Sequence, residues 1–126
     1  MKKRQAVVLV IDDDPDILDS LKANLELPEI DLNVITAENG LNGLLVAKNA
    51  HPDVIVLDFQ LPDINGFDFM EELRSDQSLS DIKVIMLTAQ DTGRNRWESI
   101  DIEMDDFMGK PFDLAELEAR IYQMLQ

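Results

Sequence analysis

Cysteine is absent from all 126 residues, which excludes disulfides and thiol chemistry and suits a chain that works in the cytosol. No apolar run comes near the roughly 18 residues of a membrane span. Met1-Lys2-Lys3-Arg4 leads into an apolar segment too short for a secretory signal, with acids behind it. Positive charge is scarce as well: 11 basic residues stand against 26 acidic ones, a formal net charge of -15. Phosphate backbones and anionic bilayers would repel such a surface, so no direct nucleic-acid or membrane partner is expected. Low-complexity tracts are also missing, and at 45% hydrophobic residues the chain has what a packed globule needs and a disordered acidic tail lacks. This length suits one core, hence one domain over residues 1–126, with a cytoplasmic location.

What is present is organised by short apolar runs. Ala6 to Ile11, Val54 to Leu57 and Val84 to Leu87 are too short for helices, rich in β-branched residues and without polar alternation. They read as parallel strands covered on both faces. Asn33 to Ala37 reads as an edge strand and Asp106 to Met108 as a short final one. Helical period fills the gaps. Ile17, Leu18, Leu21 and Leu25 form a stripe behind a cap at Asp14 and a first-turn Pro15, ending before Pro28. Leu41, Leu44, Leu45 and Ala47 mark a second helix that stops before His51-Pro52, and Phe67, Met70 and Leu73 a third. Thr92 to Ile100 reads as a fourth. Leu114, Leu117, Ile121, Met124 and Leu125 give the apolar face of the last, behind an acidic capping box of Asp113 and Glu116. Strands alternating with helices at this spacing predict an α/β fold with one parallel sheet and right-handed crossovers.

That geometry gives meaning to the stretch IDDDPD, Ile11 to Asp16, where an apolar strand delivers four carboxylates within five positions. Like charges about 4–5 Å apart repel by roughly 3 to 4 kcal/mol at an effective dielectric near 20, so something must offset them. All strands of a parallel sheet exit at the same edge, where open α/β sheets bind ligands. The residues in those places are Asp12 and Asp13, Asp58, Thr88 and Lys110. Three clustered acids suit a hard divalent cation such as Mg2+. A carboxylate fixed beside a cation can attack phosphorus, and an amine and a hydroxyl can hold the phosphoryl oxygens. Singly, each residue has a plainer explanation: Asp14 and Asp16 cap a helix, Asp58 is a strand-end acid, Thr88 terminates a strand, Phe107 is core and Lys110 sits on the surface. Their joint arrival at one edge is what favours chemistry.

In four separated stretches the chain resembles the receiver domain of two-component response regulators. VLVIDDDPDIL is similar to that family's acidic opening, and VIVLDFQLPDINGFDFMEELR to its phosphoacceptor segment, with Leu61-Pro62 and Gly66 at matching offsets from Asp58. VIMLTAQD supplies the threonine; DDFMGKPFD supplies an aromatic, the lysine and a proline. The resemblance implies a doubly wound, flavodoxin-like sheet in the order 2-1-3-4-5, flanked by five helices. It implies that Asp58 is phosphorylated, that Asp13 binds Mg2+ directly and Asp12 through water, and that the Gln60 carbonyl completes the protein's share of the metal shell. Thr88 and Phe107 would be a switch pair, Lys110 would bond the phosphate, and Lys110-Pro111 would be a cis peptide. Partners implied are a sensor histidine kinase or phosphotransfer protein and a downstream protein target or effector domain, together with homodimer formation through the fourth helix, last strand and last helix. The readout surface would include Arg94, Arg96, Trp97, Phe107 and Tyr122.

Departures from the family pattern fall at Glu103-Met104, where small residues are usual, and Gln60 and Gln90 stand where phosphoryl lifetime is tuned. His51 ends a helix and is given no part in phosphate transfer. The chain is not expected to be an enzyme beyond accepting and losing its own phosphoryl group. A magnesium phosphatase would want a second acid two residues after its nucleophile, where this chain has Gln60. The remaining alternative is an interaction module with the same fold that signals without phosphorylation.

Overall fold

The computed structural model describes residues 4–89 and 105–126. In chain order the elements are β1 (Arg4–Ile11), α1 (Pro15–Asn24), β2 (Ile30–Ala37), α2 (Gly40–Ala50), β3 (Val54–Asp58), α3 (Gly66–Ser75), β4 (Lys83–Ala89), β5 (Asp106–Lys110) and α4 (Leu114–Met124). All strand pairs are parallel, in the order β2-β1-β3-β4-β5. The expected doubly wound sheet is therefore present. Four flanking helices lie among the described residues; the expected helix over Thr92 to Ile100, with Gln90, Arg94, Arg96, Trp97, Glu103 and Met104, lies outside them. Among the described residues no helix is long and apolar enough to cross a membrane.

The unalternating strands are explained by two core layers. Successive strand side chains point to opposite faces. Val8, Val10, Val54, Val56, Ile85 and Leu87 pack with Leu18 and Leu21 of α1 and Leu117 and Ile121 of α4. Their neighbours Leu9, Ile11, Ile55, Leu57, Val84 and Met86 pack on the other face with Ala47 of α2 and Phe69, Met70 and Leu73 of α3. β2 is an edge strand as expected, though longer, because Ile30 and Leu32 also pair along β1. The order places β2 and β3 on either side of β1, so the chain winds in opposite directions from it. That is the switch point at which such sheets open a crevice.

Two helices differ from their sequence reading. In α2 the buried residues are Gly40, Gly43 and Ala47, whereas Leu41 and Leu45 stand 57% and 59% exposed and Leu44 is half-buried. Close packing decides this: a β-carbon at Gly43 would meet the side chain of Ile11, so only small residues let the helix settle on the sheet. His51 closes the helix in the left-handed conformation, its N–H donating to the Ala47 carbonyl at 2.9 Å. In α4, Asp113 caps by accepting from the Ala115 N–H at 2.8 Å, but the Glu116 carboxylate accepts from Arg120 instead of returning to the cap. The first helix follows its expectation, with Pro15 in its first turn and Asp14 accepting from the Asp16 N–H.

Candidate functional site

Each functional side chain is set by the end of a strand. The Asp12 N–H donates to the Ala37 carbonyl at 3.2 Å and continues the β1–β2 ladder one residue beyond Ile11. This holds Asp12 fully buried, with Oδ1 accepting from the Asp14 N–H at 2.9 Å. Asp58 is the last residue of β3 and pairs with Leu87, and the next N–H, that of Phe59, donates to the Leu87 carbonyl at 2.8 Å. Thr88, the last residue but one of β4, pairs with Gly109, and Lys110 ends β5 against Ala89. The Lys110-Pro111 peptide is cis.

These strand ends bring the charges together. The Lys110 Nζ lies 2.9 Å from Asp12 Oδ2 and 3.4 Å from Asp58 Oδ1. One carboxylate oxygen from each of Asp12, Asp13 and Asp58 falls within 4.8 Å of the other two. Asp13 is exposed, and none of the hydrogen bonds among the described residues occupies its carboxylate. A cleft of about 320 Å³ opens beside them, lined by Asp13, Asp58, Gln60, Leu61, Pro62, Ala89 and Lys110. Gln60 donates its N–H weakly to Asp58 Oδ1, at 3.4 Å. Thr88 and Phe107 line a neighbouring cleft of about 450 Å³ with Phe112 and Arg120. There the Thr88 hydroxyl donates to the Ala89 carbonyl at 3.3 Å, and half-buried Phe107 packs against the core layer that contains Met86.

Electrostatics express the crowding. Burial first, and the Asp12 charge second, push the Asp58 carboxyl up to about 6, with Lys110 pulling the other way. Burial disfavours the Lys110 ammonium, but the hydrogen bond to Asp12 and the charge of Asp58 outweigh it and hold its pKa above the usual lysine value. With all three acids ionised, one ammonium leaves two negative charges in the cluster. A dication would cancel them, and clustered carboxylate oxygens suit a hard cation such as Mg2+, which takes one or two of them directly and keeps water on its other positions. The residues fit the ion on this ground.

Asp63 was not legible as part of this region. Its acid, in the loop between β3 and α3, reads in sequence only as a turn residue, yet it accepts hydrogen bonds from the first N–H groups of α2. Nothing local in the sequence points to that contact, which spans 23 residues. Of the expected readout residues, Phe107 and Tyr122 are described, both half-buried.

Strand order and cleft place the domain in the doubly wound, flavodoxin-like class of α/β proteins. Within that class the chain belongs to the response regulator receiver domain family, whose sequence model matches residues 8–122. It is similar to the DNA-binding dual master transcriptional regulator RpaA of Synechocystis, at 39% identity over 119 residues, covering 94% of this chain and 48% of that protein. It is similar also to the alkaline phosphatase synthesis transcriptional regulatory protein PhoP of Bacillus subtilis, at 36% identity, covering 94% and 48%. The chain thus spans about half the length of the curated relatives it matches. Among solved structures, the receiver domain of Francisella response regulator 1452 matches with a TM-score of 0.80 at 31% identity, covering 94% of this chain and 95% of that one. The chemotaxis protein CheY4 of Vibrio cholerae matches with a TM-score of 0.83 at 26% identity, covering 95% and 98%.

Proposed function

We propose that this receiver domain accepts a phosphoryl group on Asp58 from a histidine kinase or phosphotransfer protein, in a reaction that needs Mg2+, and changes conformation to control a protein contact. The observation that carries this reading is the position of the Lys110 amine between Asp12 and Asp58, beside three acids whose oxygens lie within 4.8 Å of one another. Asp12, Asp13, Asp58 and the carbonyl of Gln60 would hold the ion. Bound there, Mg2+ supplies the positive charge that lets an anionic phosphoryl group approach an anionic carboxylate.

The chain's own residues do the rest. An Asp58 oxygen forms a bond to phosphorus as the bond from phosphorus to the donor's imidazole nitrogen breaks, the electron pair leaving with that nitrogen. The Lys110 ammonium, already within reach of Asp58, neutralises a phosphoryl oxygen. The Thr88 hydroxyl gives up its bond to the Ala89 carbonyl to donate to another, and the Phe107 ring turns inward behind it. The new group adds about 1.5 to 2 negative charges at one point. Taking a balance of conformations from 1:99 to 99:1 needs roughly 5.5 kcal/mol of preference, which these contacts share.

The domain is not an enzyme toward external substrates in this reading, because Gln60 stands where a phosphatase needs a proton donor. The names of RpaA and PhoP suggest a transcriptional output. We carry this to the present chain as control exerted through protein contact in the cytoplasm, since a net charge of -15 opposes direct binding to a phosphate backbone. Incubation with acetyl phosphate and MgCl2 followed by intact-mass spectrometry tests the proposal. One phosphoryl group is expected on the wild type, none in EDTA and none on Asp58→Asn. A wild type that gains nothing in Mg2+ would leave the phosphorylation-independent interaction module as the better reading.

A further inference from the structure

The segment between β3 and α3, residues 59–65, supplies Gln60, Leu61 and Pro62 to the wall of the acidic cleft. Its base is closed by its own backbone: the Gly66 N–H donates to the Phe59 carbonyl at 2.8 Å, and Gln60 pairs with Asn65 in an isolated antiparallel bridge. The tip is held differently. Asp63 Oδ1 accepts from the Gly40 N–H at 2.9 Å and from the Ile64 N–H at 3.0 Å, and Oδ2 accepts from the Leu41 N–H at 2.8 Å. Gly40 and Leu41 form the first turn of α2, whose N–H groups have no partner within the helix. The side chain of the helix's own cap, Asn39, takes only the Asn42 N–H, at 2.8 Å. The cleft loop therefore completes the cap of a neighbouring helix. Ile64 adds a second attachment, because it occupies the space a side chain at Gly40 would need: a β-carbon there would lie 2.8 Å from Ile64 Cδ1.

We propose that Asp63 is a positioning residue for the metal site: by tying the tip of the loop to the first turn of α2, it fixes the Gln60 backbone at the cleft wall. This rests on the reading of the cleft as a Mg2+ site. The contact is made by an ionised acceptor on two backbone donors of a helix that is itself seated on Ile11 through Gly43, so the loop is referred to a rigid body. Coupling of this kind is reciprocal: if the clamp favours metal binding, metal binding tightens the clamp.

Two measurements test it. Calorimetric titration of MgCl2 into the wild type, Asp63→Ala and Asp63→Asn should show affinity falling about tenfold in the alanine variant, the scale of a lost outer-shell support. The asparagine variant should recover part of the loss, since it keeps one side-chain oxygen as acceptor. Amide hydrogen exchange on the wild type alone should show Gly40 and Leu41 exchanging several-fold more slowly in Mg2+ than in EDTA, a comparison that does not depend on any variant folding. A cap with a purely structural role would lower the melting temperature of Asp63→Ala and leave its Mg2+ affinity unchanged. That result, or exchange at Gly40 and Leu41 that is indifferent to Mg2+, overturns the proposal. A wild type that binds no Mg2+ overturns the metal reading beneath it, and is seen before any variant is made.

Discussion

Between the ordinary aspartate value of 3.8 and the value of about 6 that burial gives Asp58, the native protein holds a proton that the unfolded chain has already released. Stability of the metal-free protein must therefore fall as pH rises through that window, because ionising the buried acid beside Asp12 costs more in the fold than in water. Asp58→Asn removes the titration. In EDTA at pH 7 it is expected to be more stable than the wild type by on the order of 2 kcal/mol, with the difference vanishing below about pH 4. Urea unfolding at a series of pH values checks this, and parallel pH profiles for the two proteins would contradict it. By the same linkage protons would compete with Mg2+ at the proposed site, so metal affinity is expected to weaken as pH drops below about 6.

Among the elements, α2 shows how a helix can be placed by what it lacks. Its leucines suggest an apolar stripe, yet Leu41 and Leu45 face solvent while Gly43 and Ala47 meet the sheet and Gly40 meets Ile64 of the loop before α3. Hydropathy weighs a leucine as apolar wherever it points, and gives glycine almost no voice. Substitutions should follow the structure: Gly43→Val, forced against Ile11, is expected to cost about 1–3 kcal/mol, whereas Leu45→Lys should change stability by no more than about 0.5 kcal/mol. Denaturant midpoints for the two variants check the ranking, which the periodicity of the leucines taken alone would reverse.

For the whole molecule the dominant quantity is the charge of -15. Self-repulsion on this scale destabilises a compact state, and salt relieves it as the screening length shrinks from roughly 30 Å at 0.01 M to about 8 Å at 0.15 M. Melting temperature is expected to rise with NaCl by a few degrees. Millimolar MgCl2 should raise it further than NaCl of matched ionic strength if the proposed site is right, because a dication held by the acid cluster would bind the native state and not the unfolded one. Equal shifts for the two salts in a thermal melt would mean that only general screening is at work.

The strands, most helix boundaries and the residues at the strand ends were legible in the chain, since each follows from local properties: runs of Val, Ile and Leu, a cap at Asp14, carboxylates directly behind an apolar segment. Four motif-bearing stretches in order were enough to suggest the family and, through it, the sheet order. The tertiary structure alone decided which face of α2 is buried, that Glu116 turns to Arg120 rather than to its cap, and that Asp63 reaches α2. It alone brings the Lys110 amine to within 2.9 Å of an acid 98 residues away. The Glu116–Arg120 pair is one turn apart, but Arg120 is drawn there by Asp106 and the Phe107 carbonyl of β5. For the other three the physical reason is shared: periodicity and propensity are set by neighbours along the chain, but which groups touch across it depends on how closely the layers can approach, and that is a matter of side-chain volume between segments distant in sequence.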